Sequence, residues 1–238
     1  PWETVTYEHE ENDTSVSYHF DDAADGYDTR NITIEREQGG KKKEFTMELY
    51  GQPQDGWIVM TDDGHPYLYT EIQSENDWRT MEVFDLKVEK IRHVGTSNDS
   101  PHGALLNDPD EFYLTRRVDA LGTYDAYRKF HVGESGMPVA ENDVYTKVNV
   151  CDSKEDEAAL VSTRELPVTV FDGNGKEEKL PAGTKYYVRA TDLENFVDME
   201  LSDGRRCRLA VKKSDKGWGF EIDGVYEEDC FEFIPYAG

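Results

Sequence analysis

The chain has 238 residues, of which 51 are acidic and 26 are basic, so its formal net charge at pH 7 is −25. This length is enough for one large β domain or two smaller ones. So negative a surface repels phosphate backbones and anionic lipid headgroups, which argues against nucleic acids and membrane surfaces as partners. It favours either plain solubility in an exposed compartment or capture of a cationic partner or calcium.

The beginning of the chain predicts an extracellular location. No apolar run approaches the ~20 residues that a membrane-spanning helix needs. The opening PWETVTYEHEENDTS contains neither a starting Met nor a signal peptide, and this is typical of a segment from a longer protein. We therefore expect a signal or lipid anchor upstream and an extracellular or cell-surface protein; an intact intracellular protein is the alternative.

The front of the chain consists of alternating polar and apolar runs. Seven runs have the period-two pattern of strands, and they cover residues 14–20, 30–37, 44–51, 56–63, 66–74, 78–86 and 87–95. Gly, Asn and Asp in the intervening turns tolerate positive φ. Connections this short require antiparallel neighbours, so residues 1–150 are predicted to form an antiparallel meander, folded as a sandwich or a blade-like sheet.

Two stretches in the middle of the chain are predicted to form short helices. NDPDEFYLTRRV (107–118) offers an Asn or Asp cap, with Pro109 at the first helical position. DSKEDEAALVSTR (152–164) begins with acidic residues, as the helix dipole prefers. The second stretch is interpreted as the connector between two domains.

The tail returns to short strands, so the whole chain is predicted to be all-β. Five or six strands in residues 163–238, one pair of them joined by an Asp203-Gly204 turn, predict a small barrel. Successive side chains of a strand point to opposite faces, so one set is expected to point into the barrel core. This set is Tyr186, Val188, Val197, Met199, Leu201, Cys207, Leu209 and Val211. The opposite phase directs another set outward: Tyr187, Arg189, Phe196, Asp198, Arg206 and Arg208.

Residues 165–238 resemble a bacterial SH3-like domain. The marks are a first strand and long loop, LPAGTKYYV with Gly183 before the second strand, the SDGRR hairpin, and a closing IDG…CFEFIPYAG. The whole chain is similar to secreted or lipid-anchored proteins of Gram-positive anaerobes, in which a β-rich domain precedes such a barrel. The resemblance implies an envelope-associated protein whose ligand is a cell-wall, glycan or peptide group. The polar loop departs from wall-binding barrels because it lacks an aromatic cluster.

The three cysteines, Cys151, Cys207 and Cys230, show no C-x-x-C spacing, which argues against a zinc site or a redox motif. Cys207 and Cys230 lie on tail strands that are predicted to be near each other. The sequence leaves open a disulfide between them or two free, buried thiols.

The search for catalytic motifs finds no nucleophile motif, phosphate-binding loop or paired metal-binding histidines. His65, beside Asp62 and Asp63, is a candidate for acid–base or metal chemistry, although a turn histidine bonded to a carboxylate is commoner. Residues 20–28 match part of a calcium loop but fail as an EF-hand. With 51 acidic residues, the sequence cannot rank the carboxylate pair that a glycosidase requires.

Exposed aromatic residues are the remaining candidates for ligand contacts. Tyr187, Phe196 and Trp218 are predicted in the barrel, and Trp57 and Trp78 are considered in the meander, although most rings in a β protein belong to the core. We therefore predict a non-catalytic binding or adhesion module that uses no cofactor and no catalytic residue. The alternatives are an accessory region of a carbohydrate-active or cell-wall enzyme, and a structural spacer.

Overall fold

The computed structural model describes residues 3–9, 12–21, 29–87, 90–101, 106, 108–149, 157–171, 175–215 and 217–237. The predicted all-β fold is confirmed, since 61% of the chain is strand and 3% is helical. The strands that form the first part of the fold are β1 (Glu3–His9), β2 (Asn12–Phe20), β3 (Thr29–Gln38), β4 (Lys41–Tyr50), β5 (Gln52–Met60), β6 (Pro66–Gln73), β7 (Arg79–Asp85), β8 (Arg92–Ser97), β9 (Phe112–Asp119), β10 (Thr123–Val132) and β11 (Pro138–Ala140).

The remaining strands are shorter. They are β12 (Tyr145–Lys147), β13 (Leu160–Val161), β14 (Leu166–Val170), β15 (Lys176–Leu180), β16 (Lys185–Thr191), β17 (Phe196–Leu201), β18 (Arg206–Ala210), β19 (Lys212–Lys213), β20 (Phe220–Ile222) and β21 (Val225–Tyr226). Two 3₁₀ turns, Glu75–Asp77 and Glu227–Asp229, complete the described structure.

The chain forms two compact units. The first contains the described residues up to Arg116 together with Lys129–Glu141, and the second contains Arg117–Arg128 together with the described residues from Asn142 onward. Strand β10 therefore contributes residues to both units. Its Ala126 and Tyr127 pair with β12, and its last three residues pair with β11.

The first unit contains two four-stranded antiparallel meanders, β1–β4 and β5–β8. Strands β2 to β8 overlap the seven predicted runs, whereas β1 was not predicted from the sequence. The antiparallel pairing is as expected from the short turns. The β5–β8 sheet is covered on both faces. Leu68 and Phe84 pack in a core with residues of β2–β4, whereas Tyr69, Met81 and Val83 pack with residues of β9 and β10.

The second unit is built on an antiparallel sheet in the order β10, β12, β16, β17, β18, β14 and β15, with β13 paired to β16 and a small β19–β20–β21 sheet beyond it in the chain. The predicted period-two phase is confirmed by burial. The eight side chains that were expected to point inward are all buried. They belong to one core with Leu166, Phe220, Ile222 and Phe231.

Both helix predictions are wrong wherever the structure describes the residues. Residues 112–119 form β9, because Phe112, Leu114 and Val118 are buried on a strand period that overrides the capping signals upstream. Leu160 and Val161 form β13, since Leu160 pairs with Tyr186 of β16. Residues 151–156, with Cys151, and residues 22–28 of the calcium candidate lie outside the described residues.

Candidate functional site

The strongest site in the structure is an aromatic cluster near the end of the chain. Trp218 lies in the loop between β19 and β20, Tyr226 ends β21, and Tyr236 lies in the closing segment. The Trp218 and Tyr236 ring centroids are 5.1 Å apart at an interplanar angle of 74°. The Trp218 and Tyr226 centroids are 6.3 Å apart at 82°. Two tyrosine rings thus hold one tryptophan in edge-to-face geometry, which aromatic pairs prefer.

A buried carboxyl group supports this cluster from the 3₁₀ turn. Glu227 has no exposed surface, and the Tyr236 hydroxyl donates to its Oε1 at 2.7 Å. Among the described residues, its Oε2 atom has no hydrogen-bond partner. Burial raises the pKa of Glu227, and the hydrogen bond from Tyr236 only partly opposes that rise. We call Trp218, Tyr226, Glu227 and Tyr236 the Trp218 cluster.

A glycine makes the close approach of this loop possible. Gly219 has φ +72°, and a Cβ atom there would lie 2.5 Å from Glu227 Oε1 and 2.9 Å from the Tyr226 hydroxyl oxygen. Glycine adopts positive φ without a steric cost and leaves room for the carboxyl group. The loop therefore packs its backbone against Glu227 while the Trp218 side chain stays 53% exposed.

The three predicted ligand-binding rings lie in different settings. Trp218 is open to solvent, as expected. Tyr187 was expected on the outer face, but its side chain is only 9% exposed, and the Arg189 guanidinium lies 5.7 Å from its ring centroid. The prediction of Tyr187 as a solvent-facing platform is wrong, because a covered ring offers little surface to a ligand.

The ring of Phe196 is half-buried and covered by a charged neighbour. The Arg208 guanidinium lies 3.4 Å from its centroid and also 5.4 Å from the centroid of Phe171. Two hydrogen bonds, of 2.7 and 2.8 Å, tie Arg208 to Asp198 on the paired strand. This face of Phe196 is filled by the protein's own cation, so Phe196 acts there as a cross-strand partner.

Sequence reasoning missed three members of the Trp218 cluster: Tyr226, Glu227 and Tyr236. The sequence does show a tryptophan between Gly217 and Gly219, with tyrosines 8 and 18 residues further along the chain. The pattern gave no sign that the chain would bring residues 218, 226 and 236 together. Only the short strands and the 3₁₀ turn between them do so.

Cys207 and Cys230 are both free, buried thiols, so of the two alternatives that the sequence leaves open the structure has the free thiols and not the disulfide. Both side chains belong to the core of the second unit. Burial raises the pKa of the Cys207 thiol to about 11 and also raises that of Cys230. Each thiol is thus held in its neutral form and packs as a small apolar side chain.

The other candidate for chemistry, His65, is hydrogen-bonded within the fold. Its Nε2 lies 2.7 Å from Oδ1 of Asp85, a residue twenty positions along the chain rather than its neighbours Asp62 or Asp63. Arg92 Nε donates to Asp85 Oδ2 at 2.9 Å, and the Lys87 amide donates to Oδ1 at 2.9 Å. Burial alone would raise the pKa of Asp85, but these donors outweigh it and lower the pKa. Both oxygens of this carboxylate are occupied by the fold.

Several further buried carboxylates also have basic partners. Glu82 Oε2 lies 2.7 Å from His93 Nε2 and accepts from Thr96 at 2.8 Å. Glu157 binds both Lys147 and Arg189. Arrangements of this kind stabilise a fold once the carboxylate is buried. Glu227 differs from them because its hydrogen-bonded partner is the neutral hydroxyl of Tyr236.

Two searches of the described ranges give negative results. They contain no group of three or more His, Cys, Asp or Glu side chains arranged to hold a metal ion. They also contain no helix with the length and apolar character that crossing a membrane requires.

Comparison with known proteins adds no relative: no family model, no curated protein and no solved structure matches the chain. The interpretation of its function therefore depends on the geometry of its own residues.

Proposed function

We propose that the chain is a non-catalytic binding module of the cell envelope, that its tail is an SH3-like barrel, and that its ligand contacts the Trp218 cluster. The observation that carries this proposal is the exposure of Trp218 despite contacts with two tyrosines. An indole ring open to solvent forgoes the free energy that its burial would contribute. Ligand contact recovers that free energy.

The rigidity of the cluster supports a binding role. Each tyrosine lies nearly perpendicular to the indole ring, and Tyr236 is further fixed by its hydrogen bond to Glu227. Side chains already held in place lose little conformational freedom when a ligand arrives. The location at the envelope rests on the resemblance of the tail to SH3-like domains.

A glycan and peptidoglycan-fragment array tests the proposal. The purified chain is compared with Trp218→Ala and with Phe233→Ala, a control because Phe233 is an aromatic residue of the second unit that is 72% exposed but is not a member of the Trp218 cluster. We expect specific retention of one ligand class, a loss of about tenfold or more in Trp218→Ala, and unchanged retention in Phe233→Ala. Circular dichroism of each variant checks the fold.

Three results would overturn the proposal. Equal retention of wild type and Trp218→Ala would show that the ligand binds the chain somewhere other than the Trp218 cluster. No retention by a folded wild-type chain would leave the structural spacer as the better interpretation. Turnover of an arrayed fragment would favour the cell-wall enzyme.

A further inference from the structure

The segment that carries the Trp218 cluster has a more acidic composition than the rest of the tail. Residues 163–238 contain 16 acidic and 11 basic residues, and residues 212–238 account for 7 and 3 of them. The segment from β19 onward therefore has a formal net charge of −4, counted with Glu227 ionised, whereas residues 163–211, with 9 acidic and 8 basic residues, have a formal net charge of −1. The acidic residues of this segment are Asp215, Glu221, Asp223, Glu227, Glu228, Asp229 and Glu232.

The described basic side chains of this segment are near carboxylates. Lys212 Nζ lies 4.0 Å from Asp215, and Lys213 Nζ lies 3.9 Å from Glu194. Both lysines are on β19, before the loop that carries Trp218. The aromatic rings are thus set in a segment whose field attracts cations and repels anions.

The geometry of the rings and the charge of the segment both favour a cationic ligand. The face of an aromatic ring is the negative pole of its quadrupole, and tryptophan attracts cations best. Perpendicular rings form a corner in which a compact cation can contact more than one ring, whereas a flat sugar ring is best served by one broad platform. A metal ion would require a group of carboxylates that the described residues do not provide.

We propose that the Trp218 cluster binds an organic ammonium group, with Trp218 as the main contact and the acidic side chains of residues 212–238 as the surrounding field. This inference rests on the proposed binding function and names its ligand class. Glu227 acts as a positioning residue, since its hydrogen bond to Tyr236 fixes one wall of the corner.

The test is a titration followed by the indole N–H signals in a ¹H–¹⁵N NMR spectrum. The chain has four tryptophans, and Trp218→Ala identifies the signal of Trp218. Choline chloride is the quaternary probe and N-acetyl-lysine methylamide is the primary probe. The neutral control is 3,3-dimethyl-1-butanol, which has the shape of choline without its charge.

We expect at least one ammonium probe to shift the Trp218 signal in a saturable way, with an affinity about tenfold higher than that of the neutral alcohol. Comparing the two ammonium probes shows whether the site prefers a quaternary or a primary group. Added NaCl should weaken the shift, Phe233→Ala should retain it, and the Trp78 signal should not move. An equal response to the neutral alcohol, or equal shifts at Trp78, would overturn the inference.

The two proposals fail in distinguishable ways. Trp218-dependent retention of an uncharged glycan, with both ammonium probes silent, would disprove the ammonium site and leave the binding module intact. Saturable ammonium binding at Trp218 without retention of any arrayed fragment would support the ammonium site and disprove an envelope fragment as its ligand.

Discussion

Glu227 is fully buried, and within the described part of the chain its Oε2 atom has no hydrogen-bond partner. Because burial raises its pKa, the folded protein binds the Glu227 proton more tightly than the unfolded chain does. The contribution of Glu227 to stability is therefore fully present below its unfolded pKa of about 4.3. It is lost as the pH rises through the higher pKa of the folded state.

The first prediction concerns Glu227→Gln, which retains an oxygen to accept from Tyr236 but cannot ionise. The free energy of unfolding of wild type, relative to the variant, should fall as the pH rises above about 4.3. Urea denaturation at a series of pH values measures this difference. A difference that stays constant with pH would show that Glu227 ionises normally in the folded protein.

Asp85 gives the opposite pH dependence because its pKa is lowered in the folded state. Its stabilising contribution is present above its unfolded pKa of about 3.9 and disappears as the pH falls through the lower folded value. Asp85→Asn should reduce the free energy of unfolding at pH 7 by about 2 kcal/mol, since charge-assisted hydrogen bonds to His65 and Arg92 are lost.

Denaturation of wild type and Asp85→Asn at pH 7 and at pH values below 4 checks this second prediction. The gap between the two proteins should narrow in acid. Exposed Asp62→Asn is the control and should change little at either pH, because Asp62 was the neighbour that the sequence suggested for His65. A gap that widens in acid would contradict the account.

Among the elements, the connection between β16 and β17 is held by two side chains, Thr191, whose Oγ1 accepts from the Leu193 amide, and Asp192, which makes more of the hydrogen bonds. Asp192 Oδ1 accepts from the amides of Glu194, Asn195 and Phe196, at 3.0, 2.7 and 3.0 Å. Its Oδ2 accepts from the Asn195 side chain. Carboxylates in turns commonly satisfy successive backbone N–H groups in this manner.

Removing this carboxylate is the third prediction. Asp192→Ala should lower the free energy of unfolding by about 1 to 2 kcal/mol, because three turn amides lose their acceptor. Asp192→Asn keeps one oxygen acceptor and should lose less. Thermal and urea denaturation of the three proteins measure the order. An alanine variant as stable as wild type would show that the turn is held by the strands alone.

The element scale also shows what the sequence can and cannot predict. Strands with clear alternation, such as residues 30–37 in β3, were found because the core imposes period two on them, and burial along β3 alternates accordingly. Residues 107–118 were predicted to be helical from local capping residues, yet Phe112 and Leu114 pack in a core with residues of β6 and β7. Contacts with strands distant in sequence make these residues a strand and not a helix, and such contacts cannot be predicted from the local sequence pattern.

The same limit applies to the candidate site. Trp218 was identified as an exposed ring, but its partners lie 8 and 18 residues further along the chain, and only tertiary structure makes them neighbours. Tyr187 was predicted to be exposed because alternation reports which face a side chain is on. Alternation does not report whether that face is covered, and in this protein Tyr187 is buried.

At the scale of the whole molecule, the net charge of −25 dominates the electrostatics. Like charges repel more strongly in the compact state than in the unfolded chain, and exposed ion pairs such as Lys176 with Glu178 contribute little to stability.

The fourth prediction is that raising NaCl from about 20 mM to about 0.5 M increases the melting temperature, since screening reduces the repulsion. Calorimetry measures it; a melting temperature that falls with salt would show that ion pairs outweigh the repulsion.

The central claim is that the Trp218 cluster is a binding surface already formed in the free protein. The most direct measurement is a nuclear Overhauser spectrum of the free chain, with the Trp218 signals assigned from Trp218→Ala. We predict cross-peaks from the indole protons of Trp218 to the ring protons of Tyr236, whose centroid lies 5.1 Å away, and to those of Tyr226. Trp218 signals that show no cross-peak to either tyrosine would contradict the account.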